Sequence, residues 1–257
     1  MDSKIAKADA AHEKLHSQKR KKDSSDRKVG NEIFDKITLE TLYKLANQGY
    51  LDILNGAIST GKEANVLTGI NDKDEFIAVK IYRIATSDFK KMDYYLKGDP
   101  RFNIKTKNKR KIIYSWVTKE FKNLTRLYST GVNVPKPLIS SNNVLLIEFI
   151  GDENGNPAQP VKNQPPKNPE EFYNKLLVQL KLFVNEGKLV HGDLSNYNIL
   201  NHDETPVIID VSQSVVLDNP ISRELLERDI NTLVREYSKL GVKTSFEEVL
   251  EYVSPQF

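Results

Sequence analysis

One stretch constrains this chain more than any other: Leu189-Val190-His191-Gly192-Asp193-Leu194-Ser195-Asn196-Tyr197-Asn198-Ile199-Leu200. It sets a carboxylate, Asp193, five residues ahead of an amide, Asn198, in a short loop between apolar pairs. A buried-looking run, Val207-Ile208-Ile209, then ends in a second carboxylate, Asp210. Aspartate and asparagine are common turn residues that bond to their own backbone, so D-x-x-x-x-N alone signifies only a turn. With His-Gly in front and a hydrophobic strand ending in Asp210 behind, the set matches what phosphoryl transfer from Mg-ATP requires. One carboxylate orients a hydroxyl, while the other works with the amide to hold a metal against the phosphates.

The chain of 257 residues has room for one large domain or two lobes, and 39% hydrophobic with 28% charged residues fits a soluble globular protein. No apolar run reaches the length of a membrane span, and the lysine-rich start lacks an apolar signal core, so no membrane contact and no secretion are expected. Cysteine is absent. That excludes disulfides, thiolate zinc sites and a Cys nucleophile, and it is compatible with a cytoplasmic location. The net charge of +3 hides an asymmetry. Residues 1–28 hold nine Lys/Arg against five Asp/Glu, and residues 83–114 hold ten against three, so the remainder is acidic. Two basic segments on an acidic body suit an anionic partner such as RNA or an acidic protein surface, or else a solvated tail and loop.

The pattern divides the chain into a basic, mobile tail over 1–34, an N-lobe over 35–150 and a C-lobe over 151–257. Thr38 reads as the N-cap of a helix carrying Leu39, Leu42, Tyr43, Leu45 and Ala46 on one side and closing at Gly49. Extended runs at Leu51–Leu54, Asn65–Ile70 and Phe76–Tyr82 predict an antiparallel meander. Lys80, flanked by Ala78-Val79 and Ile81, is either an edge-strand guard or a buried cation with a task. Residues 83–114 show no clean period, and their basic content predicts an exposed insertion without a core. From Ser115 to Gly131 a helical stripe carries Glu120 on its apolar side, where a buried carboxylate needs a cation; Lys80 is the candidate. The Pro/Gly/Asn-rich stretch up to Asn168 marks the lobe boundary. Asn168-Pro169 with Glu171 then starts a helix, and further helices are predicted from Ser222 and Ser245.

Gly56-Ala57-Ile58-Ser59-Thr60-Gly61-Lys62-Glu63 almost fits the phosphate-binding pattern G-x-x-x-x-G-K-[ST]. Glu63 stands where that motif needs a hydroxyl, and a strand rather than a helix comes next. The better reading is a turn between the first two strands, with Ser59, Thr60 and backbone amides over the phosphates and Lys62 adding charge.

Six segments taken in order carry a resemblance. Ser59-Thr60-Gly61-Lys62-Glu63-Ala64-Asn65-Val66, Ala78-Val79-Lys80-Ile81-Tyr82-Arg83, Gly98-Asp99-Pro100-Arg101-Phe102, Lys119-Glu120-Phe121-Lys122-Asn123-Leu124, the His191–Leu200 loop and Ile209-Asp210-Val211-Ser212-Gln213-Ser214 resemble the atypical RIO protein kinases, type one subfamily. The likeness covers roughly residues 35 to 253. It implies an α+β, bilobal protein-kinase-like fold with an antiparallel-sheet N-lobe, one main N-lobe helix and a small, mainly helical C-lobe without a peptide-docking subdomain. It also implies a serine kinase that autophosphorylates, hydrolyses ATP with Mg²⁺ (Mn²⁺ being the alternative ion), and works on the pre-ribosomal small subunit, its rRNA and its proteins. By the same resemblance Lys80 binds the α- and β-phosphates and pairs with Glu120, and Glu148 and Ile150 offer backbone groups to adenine. Asp193 is then the catalytic base, Asn198 and Asp210 hold the metal, and Asp210 itself accepts phosphate during ATP turnover.

The chain departs from ordinary protein kinases. It has no G-x-G-x-x-G; His-Gly-Asp replaces His-Arg-Asp and Asp-Val-Ser replaces Asp-Phe-Gly. The stretch beyond Asp210 is short for an activation segment plus a peptide-docking subdomain. Two further readings stay open: a small-molecule phosphotransferase of the aminoglycoside or choline kinase type, which shares His-Gly-Asp, and a pre-rRNA-binding assembly factor that uses ATP as a conformational ligand.

Overall fold

The computed structural model describes residues 34–102, 106 and 108–253. The tail expected over 1–34 thus lies almost entirely outside the described residues. Helix α1 (Lys36–Asn47) leads into strands β1 (Ile53–Thr60), β2 (Ala64–Ile70) and β3 (Phe76–Tyr82). Helices α2 (Phe89–Lys97) and α3 (Lys109–Ser129) come after them, then β4 (Pro137–Ser141) and β5 (Val144–Glu148). The five strands form one antiparallel sheet in the order β1-β2-β3-β5-β4.

β3 lies between β2 and β5, so both of its edges are paired, and every residue of the strand after Phe76 is buried. Side chains alternate across a strand. Ile77, Val79 and Ile81 therefore join Leu42 and Leu45 of α1 in one core, while Ala78, Lys80 and Tyr82 point the other way into a cleft beside α3. The edge-strand reading of Lys80 fails on this topology.

α1 differs from expectation. Asp35, not Thr38, caps it, accepting from the Thr38 N–H at 2.8 Å. Its buried face is Thr38, Thr41, Leu42 and Leu45, leaving Leu39 52% and Tyr43 71% exposed. Threonine gives no apolar signal in a periodicity, yet these two can be buried because Asn143 donates to the Thr38 hydroxyl and Asn142 to that of Thr41. Each is satisfied against the β4–β5 turn.

The insertion expected over 83–114 is a second correction. α2 sits within it, N-capped by Asp88, with Met92, Tyr95 and Leu96 buried, and α3 begins at Lys109 with Ile112 and Ile113 buried. Lys90, Lys91, Lys109 and Lys111 are exposed, and their charges mask an apolar stripe at helical spacing.

In the C-lobe, β6 (Gln159–Pro160), β8 (Ile199–His202) and β9 (Thr205–Ile208) form one small sheet, and β7 (Leu189–Val190) pairs with β10 (Val215–Val216). Helices α4 (Pro169–Asn185), α5 (Ser222–Ser238) and α6 (Phe246–Val253) pack around them. Asn168 caps α4 through the Glu171 N–H at 3.2 Å, with Pro169 in its first turn, and Ser245 and Glu248 exchange capping bonds at α6. Among the described residues no helix is long and apolar enough to cross a membrane.

Candidate active site

A cleft of about 660 Å³ separates the sheet from the C-lobe. Its apolar walls include Ile58, Val66, Ala78, Ile147, Leu200 and Ile209, and its polar lining includes Ser59, Lys62, Lys80, Glu120, Glu148, Asp193, Asn198 and Asp210. A slot with apolar sides and convergent charge at one end fits a nucleotide.

The charged end is built from three elements. β3 supplies Lys80, whose Nζ donates to Glu120 Oε1 of α3 at 2.7 Å and to Asp210 Oδ1 at 3.0 Å. Burial opposes the ammonium, but Asp210 and Glu120 outweigh it and hold Lys80 well above the ordinary lysine range. Burial likewise opposes the Asp210 carboxylate, yet Lys80 and the Ser212 hydroxyl at 2.8 Å bring it down to about 2. Burial raises Glu120 even though Lys80 pulls the other way. Tyr82, two residues after Lys80 and on the same strand face, donates its hydroxyl to Glu120 Oε2.

Asp193 and Asn198 lie on the β7–β8 loop. Asn198 Nδ2 donates to the Asp193 carbonyl at 2.8 Å, and the Ile209 N–H donates to the Asn198 carbonyl at 2.9 Å, which ties this loop to the Asp210 turn. His191 Nδ1 accepts from the Asp193 N–H at 3.2 Å, so its Nε2 carries the proton and donates to the Ile209 carbonyl at 3.1 Å. Gly192 holds φ +80, and buried Asp229 of α5 accepts from the Gly192 and Leu194 N–H groups at 2.7 and 3.0 Å. Asp210 is itself left-handed at φ 56 and opens a 3₁₀ turn, Val211–Gln213.

Other expected residues are placed differently. Ser59 and Thr60 end β1, paired with Val66 and Asn65, and the turn is only Gly61–Glu63. Ser59 lines the cleft; Thr60 is not part of the lining. The Gly61 N–H is committed to the Ala64 carbonyl at 2.9 Å, so Gly61 tightens the turn instead of offering its amide to phosphate. Lys62 is exposed at the mouth of the cleft. Glu148 ends β5, and its side chain accepts from the Lys136 N–H. Ile150 lines the cleft, and its carbonyl accepts from the Ala158 N–H at 2.9 Å.

Sequence reading missed the residues that hold the Asp210 turn. Lys119, fully buried on α3, donates to the carbonyls of Ser212 and Ser214, and Asn123 donates to that of Val211 at 2.9 Å. Arg101 joins Asp99 through two side-chain contacts at 2.9 and 2.6 Å and donates to Asn123 Oδ1 at 2.8 Å. Lys119 and Asn123 stand four residues apart on α3, a spacing that puts both on one face of the helix.

The donor set fits a divalent ion of the Mg²⁺ kind, since the Asn198 amide oxygen and the Asp210 carboxylate are hard oxygen ligands. A five-stranded antiparallel lobe over a smaller lobe, with a lysine–glutamate pair and facing carboxylates between them, defines a bilobal protein-kinase-like fold. The solved Rio2 kinase–ADP/Mg²⁺–phosphoaspartate complex from Chaetomium thermophilum has this fold. It superimposes with a TM-score of 0.62 at 22% identity, over 84% of this chain and 66% of that one. The RIO domain family matches residues 65–249, and the chain belongs to that family. It is 39% identical over 246 residues to the RIO-type serine/threonine-protein kinase Rio1 of Methanocaldococcus jannaschii, covering 96% of this chain and 84% of the relative. The Haloferax volcanii Rio1 kinase is 38% identical, covering 91% and 80%. The Saccharomyces cerevisiae RIO1 kinase is 35% identical, with 90% of this chain spanning 54% of the longer yeast protein.

Proposed function

We propose that this chain transfers the γ-phosphoryl group of ATP to serine or threonine hydroxyls, its own included, and hydrolyses ATP in the same site. The observation that carries the reading is Lys80 bridging Glu120 and Asp210 in the cleft that also holds Asp193 and Asn198. Lys80 would bind the α- and β-phosphates, and Glu148 and Ile150 would hold adenine through their backbone. Asn198 and Asp210 would hold Mg²⁺, or Mn²⁺ in its place, and the ion supplies charge neutralisation on the phosphates. Asp193 would accept the proton of the attacking hydroxyl.

For ATP hydrolysis the relative solved as an ADP/Mg²⁺–phosphoaspartate complex suggests a covalent route at Asp210. A carboxylate oxygen attacks the γ-phosphorus, the bond to the β–γ bridging oxygen breaks, and ADP departs with that electron pair. Water, giving its proton to Asp193, then cleaves the acyl phosphate, releasing inorganic phosphate and restoring the Asp210 carboxylate.

The deciding experiment is incubation with labelled ATP, comparing wild type with Asp193→Ala. Turnover should fall by about 10²–10⁴-fold, with Mg-ADP binding retained; unchanged turnover would remove Asp193 from the base role. Label on added choline or aminoglycoside, and never on protein, would favour a small-molecule substrate. We also propose the pre-ribosomal small subunit as the partner, supported by the basic helices α2 and α3. Phosphate contacts by their lysines should make pre-rRNA affinity fall steeply with salt, and a flat response would leave those charges as solubility features.

A further inference from the structure

The Asp193 side chain is exposed, and a carboxylate on a solvated loop rotates freely unless something holds it. Gln213 holds it. Its Nε2 donates to Asp193 Oδ2 at 2.9 Å, across the cleft floor from the 3₁₀ turn that begins after Asp210. Gln213 is only 7% exposed, and its turn is fastened from behind by Lys119 and Asn123. The donor therefore comes from a rigid support. It occupies one carboxylate oxygen and leaves the other to face a substrate hydroxyl.

The same turn reaches both acidic groups. Ser212 donates to Asp210 Oδ1, and the next residue donates to Asp193 Oδ2. A shift of the turn would move the metal-holding carboxylate and the proton acceptor together. An amide suits this task better than an ammonium would. It offers one directional N–H to Oδ2, so it fixes the carboxylate's orientation.

We infer that Gln213 is a positioning residue for Asp193, fixing the orientation in which one oxygen receives the hydroxyl proton. The inference rests on the reading of Asp193 as base. Asp193 has no place in holding nucleotide, so loss of the Gln213 donor should lower kcat and spare KM for ATP. A group that merely stabilised the fold would lower both along with thermal stability.

The test is a double-mutant cycle on the full chain, with ATP turnover, KM for ATP, Mg-ADP affinity and Tm measured for Gln213→Met, Asp193→Ala and the pair. Gln213→Met should reduce kcat about 10–100-fold with KM for ATP and Mg-ADP affinity unchanged, and it should cost nothing further in the Asp193→Ala background. Gln213→Glu keeps the side chain's shape while replacing the donor by an acceptor, and it must also lose kcat, which covers the case in which methionine disturbs the turn. Losses that multiply across the cycle, or full kcat in the Gln213→Glu variant, overturn the inference while leaving Asp193 as base. Wild-type turnover in Asp193→Ala overturns the base reading and this inference together.

Discussion

Lys80 Nζ stands 3.0 Å from Asp210 Oδ1, joining residues 130 apart in sequence, while remaining 2.7 Å from Glu120 Oε1. One ammonium thus serves two carboxylates, and only Asp210 is open to solvent, its side chain 42% exposed against 2% for Glu120. The Glu120 contact is the fixed one. The Asp210 contact is the one that an arriving phosphate or metal ion would compete for.

Lys80→Met separates these roles. It strands buried Glu120 beside the solvent-open Asp210, and breaking a buried pair such as Lys80–Glu120 from one side costs about 3–5 kcal/mol. Glu120, already raised by burial, limits this by taking up a proton and keeping its Tyr82 bond. The double variant Lys80→Met/Glu120→Gln should recover most of the lost stability and none of the turnover. Recovery of turnover, measured with labelled ATP, would show that Lys80 serves the fold alone.

The Lys80–Glu120 pair was legible in the sequence because each residue broke a local pattern that the other repaired: a cation in an apolar strand and a carboxylate on an apolar helix stripe. Asp193, Asn198 and Asp210 were legible because their spacing is short-range. Lys119 was not, since its partners lie some ninety residues away on the Asp210 turn, and Gln213 and Arg101 were not, since neither an amide nor an arginine beside an acid breaks a local pattern. Helix α2 was hidden for a different reason. Phe89, Met92 and Leu96 keep helical spacing after an Asp88 cap, but the lysines between them suggested an unpacked segment.

Arg101→Ala tests whether that segment reaches the site. Asp99 is 1% exposed, and its carboxyl lies below the ordinary aspartate range: burial would raise it, but the Arg101 side-chain and backbone bonds prevail. Removing the guanidinium leaves this buried acid only the main-chain N–H of residue 101 and the charge of Lys119, at a cost of up to about 3–5 kcal/mol. It also frees Asn123 Oδ1, whose amide nitrogen holds the Val211 carbonyl next to Asp210. Arg101→Lys should restore part of the stability but not the two-point Asp99 contact. ATP turnover that stays at the wild-type level in Arg101→Ala would disconnect the α2 segment from the Asp210 turn.

Acid should weaken the fold through Asp210. Burial opposes its charge, but Lys80 prevails, so its carboxyl titrates at about 2 in the folded chain and near 3.8 when unfolded. In that window the unfolded state binds more protons. The contribution is complete above about pH 4 and drains away as pH falls toward 2. Asp210→Asn should therefore unfold with a shallower dependence on pH between 4 and 2 than wild type, read from urea midpoints across that range. Parallel curves would mean that Lys80 does not hold Asp210 ionised.

Lys119 makes the opposite prediction at the other end of the scale. Burial brings its ammonium down to about 7, despite the Asp99 carboxylate, whereas the unfolded side chain titrates near 10.5. Between those values the unfolded state binds the extra proton, so this residue makes the fold more stable as pH rises from 7 toward 10. Lys80 does not mask the effect. Its folded pKa lies above its unfolded one, so its own contribution holds through that range and is lost only at higher pH. Lys119→Met removes this titration and also two hydrogen bonds, so the difference in stability between variant and wild type should stand most in the variant's favour below pH 7 and shift steadily toward wild type up to pH 10. Turnover should nevertheless fall at every pH, because methionine offers no donor to the Ser212 and Ser214 carbonyls behind Asp210. A variant whose relative stability is highest below pH 7 and whose turnover is low throughout would show that this cation is kept for the geometry of the turn. Identical pH profiles for the two proteins would show that Lys119 stays charged in the fold.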